Sequence, residues 1–266
     1  MKAWNGSFGI SKRADMKKLL RHLLAWYLAS LARLLLLRER PTIIAVAGTV
    51  NKSFAVQAIA AELRGRGIAV ETTPQHFNTD IGLPLAILGL PSGYDSYEAS
   101  LSITPRAMKA LKRPLPAVLV LEMGIDRPGD MRALLRIVEP HIAVITDITQ
   151  RYRENFGGLD KLAHEYGMLL EALPRSGLAV LNYDTMLVRD LAKASKAPLR
   201  YVSLGSVEGK DILRAAFTQM MDGIAGTVHI DGQSEEFALP RFGRHHALSL
   251  LIARAVSAHA SFKTSH

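Results

Sequence analysis

The chain has 266 residues, 48% of them hydrophobic and 21% charged, enough apolar material for one large or two small packed domains and too much for a disordered chain. Cysteine is absent, which excludes a disulfide scaffold, a thiolate metal site and a cysteine nucleophile and fits a reducing compartment such as the cytoplasm. The net charge of +9 is uneven: residues 1–40 hold nine Lys/Arg against Asp15 and Glu39, a net of +7, and the other 226 residues carry +2, so nucleic-acid binding by the body is not suggested.

The first predicted element is a helix over residues 13–38. Leu20, Leu24, Tyr27, Leu28, Leu31 and Leu35 recur at spacings of three and four, with Lys18, His22, Ala25, Ala29 and Arg33 on the opposite side. Arg40-Pro41 ends it, because the residue before proline disfavours helical geometry. The longest stretch free of Lys, Arg, Asp and Glu is His22–Ala32, shorter than the about 20 residues of a bilayer span. No small-residue cleavage site follows, so it does not read as a signal peptide. The leucine face suits a helix docked on its own domain. The alternative is a peripheral contact of residues 13–38 with an anionic membrane, Trp26 and Tyr27 near the headgroups.

The body then alternates strands and helices. Strands are predicted at 42–47, 68–72, 118–122, 141–146, 177–181 and 200–203. Helices are predicted at 52–66, 128–138, 159–173, 185–194 and 245–260. This alternation implies right-handed crossovers and an α/β fold with a mainly parallel sheet flanked by helices. Gly223, Gly226 and Gly232 punctuate short alternating runs over 223–239, which predicts a small antiparallel hairpin. The domain organisation expected is a basic helical arm over 1–41 and an α/β domain over 42–266.

The junction Ala47-Gly48-Thr49-Val50-Asn51-Lys52-Ser53 carries the chemistry. A loop between a strand and a helix N-terminus offers backbone N–H groups to anionic oxygens. In a phosphate loop a lysine reaches the outer phosphates and Ser/Thr binds magnesium, and Lys52 and Ser53 stand where those roles require. The two glycine positions of the strict motif hold Val46 and Asn51; Asn tolerates left-handed backbone better than other non-glycine residues. Glu122 ends the predicted strand 118–122, where open α/β sheets place ligand sites. With Ser53 it supplies hard oxygens suited to Mg²⁺.

The stretch Ile44-Ala-Val-Ala-Gly-Thr-Val-Asn-Lys-Ser53 resembles the ATP loop of the Mur ligase family. Phe77-Asn-Thr-Asp-Ile-Gly-Leu-Pro-Leu85 is similar to that family's segment after the second strand. Leu121-Glu-Met-Gly-Ile-Asp-Arg-Pro-Gly-Asp130 is similar to the Glu-Met-Gly…Pro-Gly-Glu motif of its D-alanyl-D-alanine-adding branch. Asn155-Phe-Gly-Gly-Leu159, Leu181-Asn182…Asp184 and Gly243-Arg244-His245 follow in the family's order. Six ordered matches over about residues 42–260 make the resemblance specific although each is weak alone.

The resemblance implies a central ATP-binding domain of an ATP- and Mg²⁺-dependent carboxylate–amine ligase of peptidoglycan precursor synthesis. A UDP-muramoyl-peptide-like or other carboxylate would be phosphorylated, and an amine would then displace phosphate. It implies nucleotide contacts from Gly48, Thr49, Val50, Asn51, Lys52, Ser53, Asn182, Arg244 and His245. Lys52 and Glu122 would be catalytic, and Ser53 and Glu122 would hold the metal. Departures are as plain as matches. The family's histidine after the fourth strand falls on Tyr152, its helix lysine on Tyr166 and the acidic residue two positions on at Met168. A small shift would put His164 or Glu165 there instead. Two asparagines expected near adenine fall on His246 and Ser249. Restoring Tyr152→His and Tyr166→Lys is the change expected to recover a second metal. The basic helix stands in place of the family's UDP-sugar domain, and the chain stops soon after the Gly-Arg-His helix, where an amine-binding domain is usual. The ligase reading therefore predicts impaired activity for this chain. The alternative is a nucleotide-binding or interaction module without catalysis. An unrelated phosphate-loop kinase or ATPase leaves the Glu-Met-Gly and Gly-Arg-His segments unexplained.

Overall fold

A computed structural model describes residues 8–74, 77–91, 105–151, 153–209 and 211–259. The elements that build it are α1 (Phe8–Glu39), β1 (Thr42–Ala47), α2 (Lys52–Gly65), β2 (Val70–Thr72), α3 (Gly82–Leu88), β3 (Val118–Glu122), α4 (Asp130–Leu135), β4 (Ile142–Ile145), α5 (Arg153–Phe156), α6 (Leu159–Glu171), β5 (Leu178–Asn182), α7 (Met186–Asp190) with the 3₁₀ turn Leu191–Ala194, β6 (Leu199–Ser203), β7 (Ile212–Gln219), β8 (Ile224–Ile230), β9 (Gln233–Leu239) and α8 (Arg244–His259). One sheet holds all nine strands in the order β2-β3-β1-β4-β5-β6-β7-β8-β9. Pairing is parallel from β2 to β7 and antiparallel for β7–β8 and β8–β9.

The continuous apolar run of β1 follows from its place in the middle of the sheet with both faces covered. Ile43, Ala45 and Ala47 face a core shared with α1, α3 and α6. Ile44 and Val46 face a second core, built with Val56, Ile59 and Leu63 of α2 and Leu251, Ile252 and Val256 of α8. Val46, at a glycine position of the strict loop motif, is a fully buried core residue.

Several elements differ from the sequence expectation. β2 and α4 are shorter than predicted. α3 and β7 are additional elements. All seven residues of α3 are buried, so it has no polar face to generate a helical period, and its Pro84 sits in the first turn, where proline is tolerated. β7 begins with alternating burial but ends exposed, which blunts the period-two signal. The predicted hairpin is β8–β9, turned at Asp231 (φ 49°) and Gly232 (φ 83°), the left-handed pair that a tight hairpin turn requires. It is the continuation of the main sheet rather than a separate unit.

α1 is docked. Leu28, Leu31, Ala32, Leu35 and Leu36 are buried in the first core, with Leu24 and Tyr27 packed against them. The Arg33 guanidinium donates to Arg136 O and Glu139 Oε1, each at 3.2 Å, and Arg21 pairs with Asp80 at 3.2 Å. The charge-free stretch understated this helix: Leu19–Glu39, mean hydropathy 1.4, is by length and composition long and apolar enough to cross a membrane.

Candidate functional site

The loop between β1 and α2 lies at the C-terminal edge of the parallel strands, flanked by β3 and β4. Gly48 has φ 136°, and a Cβ there would collide with Thr146 Oγ1 and crowd the Asp147 backbone, so only glycine lets the chain turn under the next strand. Asn51 occupies the left-handed region at φ 65°, ψ 4°, immediately before α2, a geometry asparagine adopts at less cost than other side-chain-bearing residues.

Residues from far along the chain brace the loop. Thr49 N–H donates to Asp147 O at 2.7 Å. Thr146 Oγ1 donates to Val50 O at 2.7 Å, and Thr149 N–H donates to Thr49 Oγ1 at 2.9 Å. Asp147 is held in turn by the Thr185 hydroxyl at 2.7 Å. Thr49 and Thr146 are buried, so the loop is a fixed cradle rather than a free turn.

Lys52 Nζ donates to Gly48 O at 2.9 Å and closes over the loop. Burial is the main influence on its ammonium and lowers its pKa; Glu122 opposes this, Arg151 adds to it and Asp126 opposes it. The cation is thus held at a desolvation cost that an anionic ligand would relieve. Ser53 Oγ donates to Glu122 Oε2 at 2.6 Å. Asn78 Nδ2 donates to Glu122 Oε1 at 2.9 Å, and Glu122 N–H donates to Thr73 Oγ1 at 2.8 Å. A Cβ on Gly124 would meet the Asn78 amide, so that glycine lets Asn78 reach the carboxylate. The Ser53 hydroxyl and Glu122 carboxylate are adjacent hard oxygens, a donor set that fits a magnesium ion retaining waters and phosphate ligands.

The structure therefore gathers Gly48, Thr49, Val50, Asn51, Lys52, Ser53 and Glu122 at one edge. His245 joins them from α8 by packing on Phe54, with ring centroids 4.4 Å apart, and His246 lies 5.0 Å from the same ring. Burial, then His245 and Arg241, lowers the pKa of His246. A cavity of about 530 Å³ runs beyond this cluster between α2 and α8, with Gln57 and Ser249 on its wall. Ser249 is buried and its hydroxyl donates to His245 O one turn back. Among the described residues Asn182 and Arg244 make no bond to the loop. Asn182 Oδ1 accepts from Asp184 N–H at 3.1 Å within its own turn, and Arg244 is exposed at the start of α8.

The second-metal positions come out differently. Tyr152 lies outside the described residues. Tyr166 is 1% exposed and belongs to the first core, and Met168 packs against that core. Neither alternative replaces them. His164 is exposed, and buried Glu165 accepts Gly129 N–H at 2.9 Å and Met131 N–H at 3.0 Å, capping the first turn of α4. A lysine at Tyr166 would start from a position inside the core, while Tyr152, its partner in the expected double change, lies outside the described residues. Among the described residues no cluster of three His, Asp or Glu side chains could hold a metal. The bracing residues Thr73, Asn78, Thr146, Asp147 and Thr149 were not singled out by sequence; Asn78 lies within the noted segment 77–85 and Thr146 ends the predicted strand 141–146.

The Mur ligase middle domain model matches residues 44–257. The UDP-N-acetylmuramoyl-tripeptide–D-alanyl-D-alanine ligase of Mycobacterium leprae is 28% identical over 206 residues, 77% of this chain and 33% of that protein. Its Bacillus subtilis counterpart is 25% identical over 232 residues, 87% of this chain and 44% of that protein. The chain thus spans a third to under half of these relatives. Among solved structures, MurF of Thermotoga maritima in complex with ADP superposes with a TM-score of 0.71 at 20% identity, covering 88% of this chain and 49% of that one. MurF of Acinetobacter baumannii gives 0.70 at 18% identity, covering 87% and 46%.

Proposed function

Because the chain belongs to the Mur ligase family, we propose that the edge formed by Gly48–Ser53 and Glu122 binds ATP and supports, with low efficiency in this chain alone, activation of a carboxylate for peptide-bond formation in cytoplasmic peptidoglycan precursor synthesis. The observation that carries the reading is the convergence of Lys52, Ser53 and Glu122 on a braced loop at the open end of a parallel sheet. Loop N–H groups and the α2 N-terminus meet the phosphates. Lys52 releases Gly48 O to neutralise the transferring phosphoryl group. His245 on Phe54, with the cavity beyond, takes the base in place of the family's asparagines.

Ser53 and Glu122 would hold magnesium, which supplies further neutralisation of the triphosphate. In the reaction the terminal phosphoryl group passes to a carboxylate oxygen, ADP leaves, and an amine nitrogen attacks the acyl carbon. Inorganic phosphate departs with the C–O bonding pair and the amine loses a proton. The acceptor class suggested by the relatives is a UDP-muramoyl peptide and the amine a D-alanyl dipeptide. Asn78 positions Glu122, and Asp147 positions the loop.

A second reading, a nucleotide-binding module without ligation, is favoured by the core placement of Tyr166 and Met168. Titration calorimetry with Mg·ATP and its non-hydrolysable analogue, followed by phosphate-release assays with UDP-muramoyl tripeptide and D-alanyl-D-alanine, tests both. Binding with slow, acceptor-dependent release supports the ligase; binding without release supports the module; no binding defeats both.

A further inference from the structure

Among the described residues α1 shows two apolar faces, one buried and one exposed. Leu28, Leu31, Ala32, Leu35 and Leu36 face the core. On another side Met16, Leu19, Leu23, Leu34 and Leu37 are each more than half exposed and Trp26 is 70% exposed. At about 100° per residue these six side chains fall within an arc of about 80°. They are half of the twelve large apolar side chains exposed among the described residues. Scattered exposed leucines need no explanation, but a continuous stripe marks a contact surface. It escaped the sequence expectation because the core-facing leucines already satisfied the helical period.

We propose that this outward stripe lies on an anionic membrane surface, holding the domain at the lipid interface while the opposite face of the same helix stays in the core. Charge selects that occupant. Residues 1–40 carry +7, and basic residues crowd both ends of the stripe in sequence: Lys12 and Arg13 before it, Lys17 and Lys18 between Met16 and Leu19, Arg38 and Arg40 after it. An apolar strip with Trp, flanked by cations, matches a headgroup boundary, with each nearby cation adding attraction to anionic lipid. A second copy would bring the same +7 against itself, and like charges opposed across a contact disfavour it. Ser30 and Arg33, both exposed, also interrupt the seam that a paired helix would need. Spanning the bilayer is incompatible with the fold, since it would require Leu28, Leu31 and Leu35 to leave a core in which they are at most 8% exposed.

The test uses the full chain carrying Trp4→Phe, which leaves Trp26 as the only tryptophan. Vesicles of phosphatidylcholine with about 30% phosphatidylglycerol should pellet the protein and shift Trp26 emission to the blue, and pure phosphatidylcholine should bind it at least about tenfold more weakly. Raising salt from about 0.1 to about 0.5 M should cut the anionic partition coefficient by about tenfold. Leu23→Glu with Leu34→Glu, both at exposed positions, should abolish binding and leave far-UV circular dichroism and the melting midpoint unchanged. Absence of binding to anionic vesicles, or binding that survives the double substitution, would overturn the proposal. A solution dimer that the same double substitution dissociates, without lipid binding, would assign the stripe to a second copy and overturn it equally.

Discussion

The loop after β1 and the helix α6 both follow strands of the same parallel edge, yet their side chains go in opposite directions. At the loop, Lys52, Ser53 and Glu122 are held at the open edge by neighbours that bond them and leave them accessible to a ligand. On α6, Glu165 is turned onto the α4 backbone and Tyr166 into the core. A phosphate cradle is made largely of backbone and one lysine, so it tolerates Asn51 in place of glycine. A second metal site needs particular oxygen donors at a common point, and here those positions serve packing and helix capping. That difference is what the proposed reading, nucleotide binding with weakened phosphoryl transfer, rests on.

The comparison can be broken most forcefully at Tyr166. Tyr166→Lys should destabilise the fold by about 3 kcal/mol or more, through a lost aromatic in the core and a buried charge, without creating magnesium affinity. Chemical denaturation and a magnesium titration measure the two effects; a stable variant that binds magnesium would mean α6 still faces the site. Glu165→Ala should cost about 1–3 kcal/mol, chiefly the penalty for leaving the buried Met131 N–H without its acceptor, with a smaller part from the more exposed Gly129 N–H. Its nucleotide affinity should stay near that of the unaltered chain, and a large fall would tie α6 to the loop.

The smallest effect sharpens the loop side. Lys52 has a lowered pKa in the fold, so in the interval between that value and the ordinary lysine value of about 10.4 the unfolded chain binds the extra proton. Its contribution to stability therefore rises with pH across that interval. Nucleotide affinity should instead fall there, because the neutral amine no longer counters phosphate charge. Calorimetric titrations and melts over an alkaline series should show these opposite slopes for the unaltered chain and neither for Lys52→Ala.

Much of this was legible in the sequence because it depends on local pattern. The apolar run Ile43–Ala47 ending at Gly48 marked a central strand and its turn, and Lys52 and Ser53 announced the loop chemistry. Glu122 was legible as a strand-end carboxylate. What was not legible required distance in the chain. Thr146, Asp147 and Thr149 reach the loop from about 100 positions away, which no spacing within one segment reveals. Asn182 and Arg244 matched motif positions, but the turn after β5 and the exposed start of α8 leave them off the loop. α3 was missed because a helix apolar on all sides has no contrast for periodicity to detect, and the outer face of α1 because its core-facing leucines already satisfied the helical period.

The central claim is that Gly48–Ser53 is a working phosphate site rather than a structural turn. Calorimetric titration of the full chain with Mg·ATP, in parallel with Lys52→Ala, tests it most directly. The account predicts saturable binding by the unaltered chain and an affinity about 30–100-fold lower in the variant, the scale of a lost charge-assisted contact to phosphate, with both proteins melting cooperatively. Equal affinities for the two proteins, or heat of binding in neither, would contradict it.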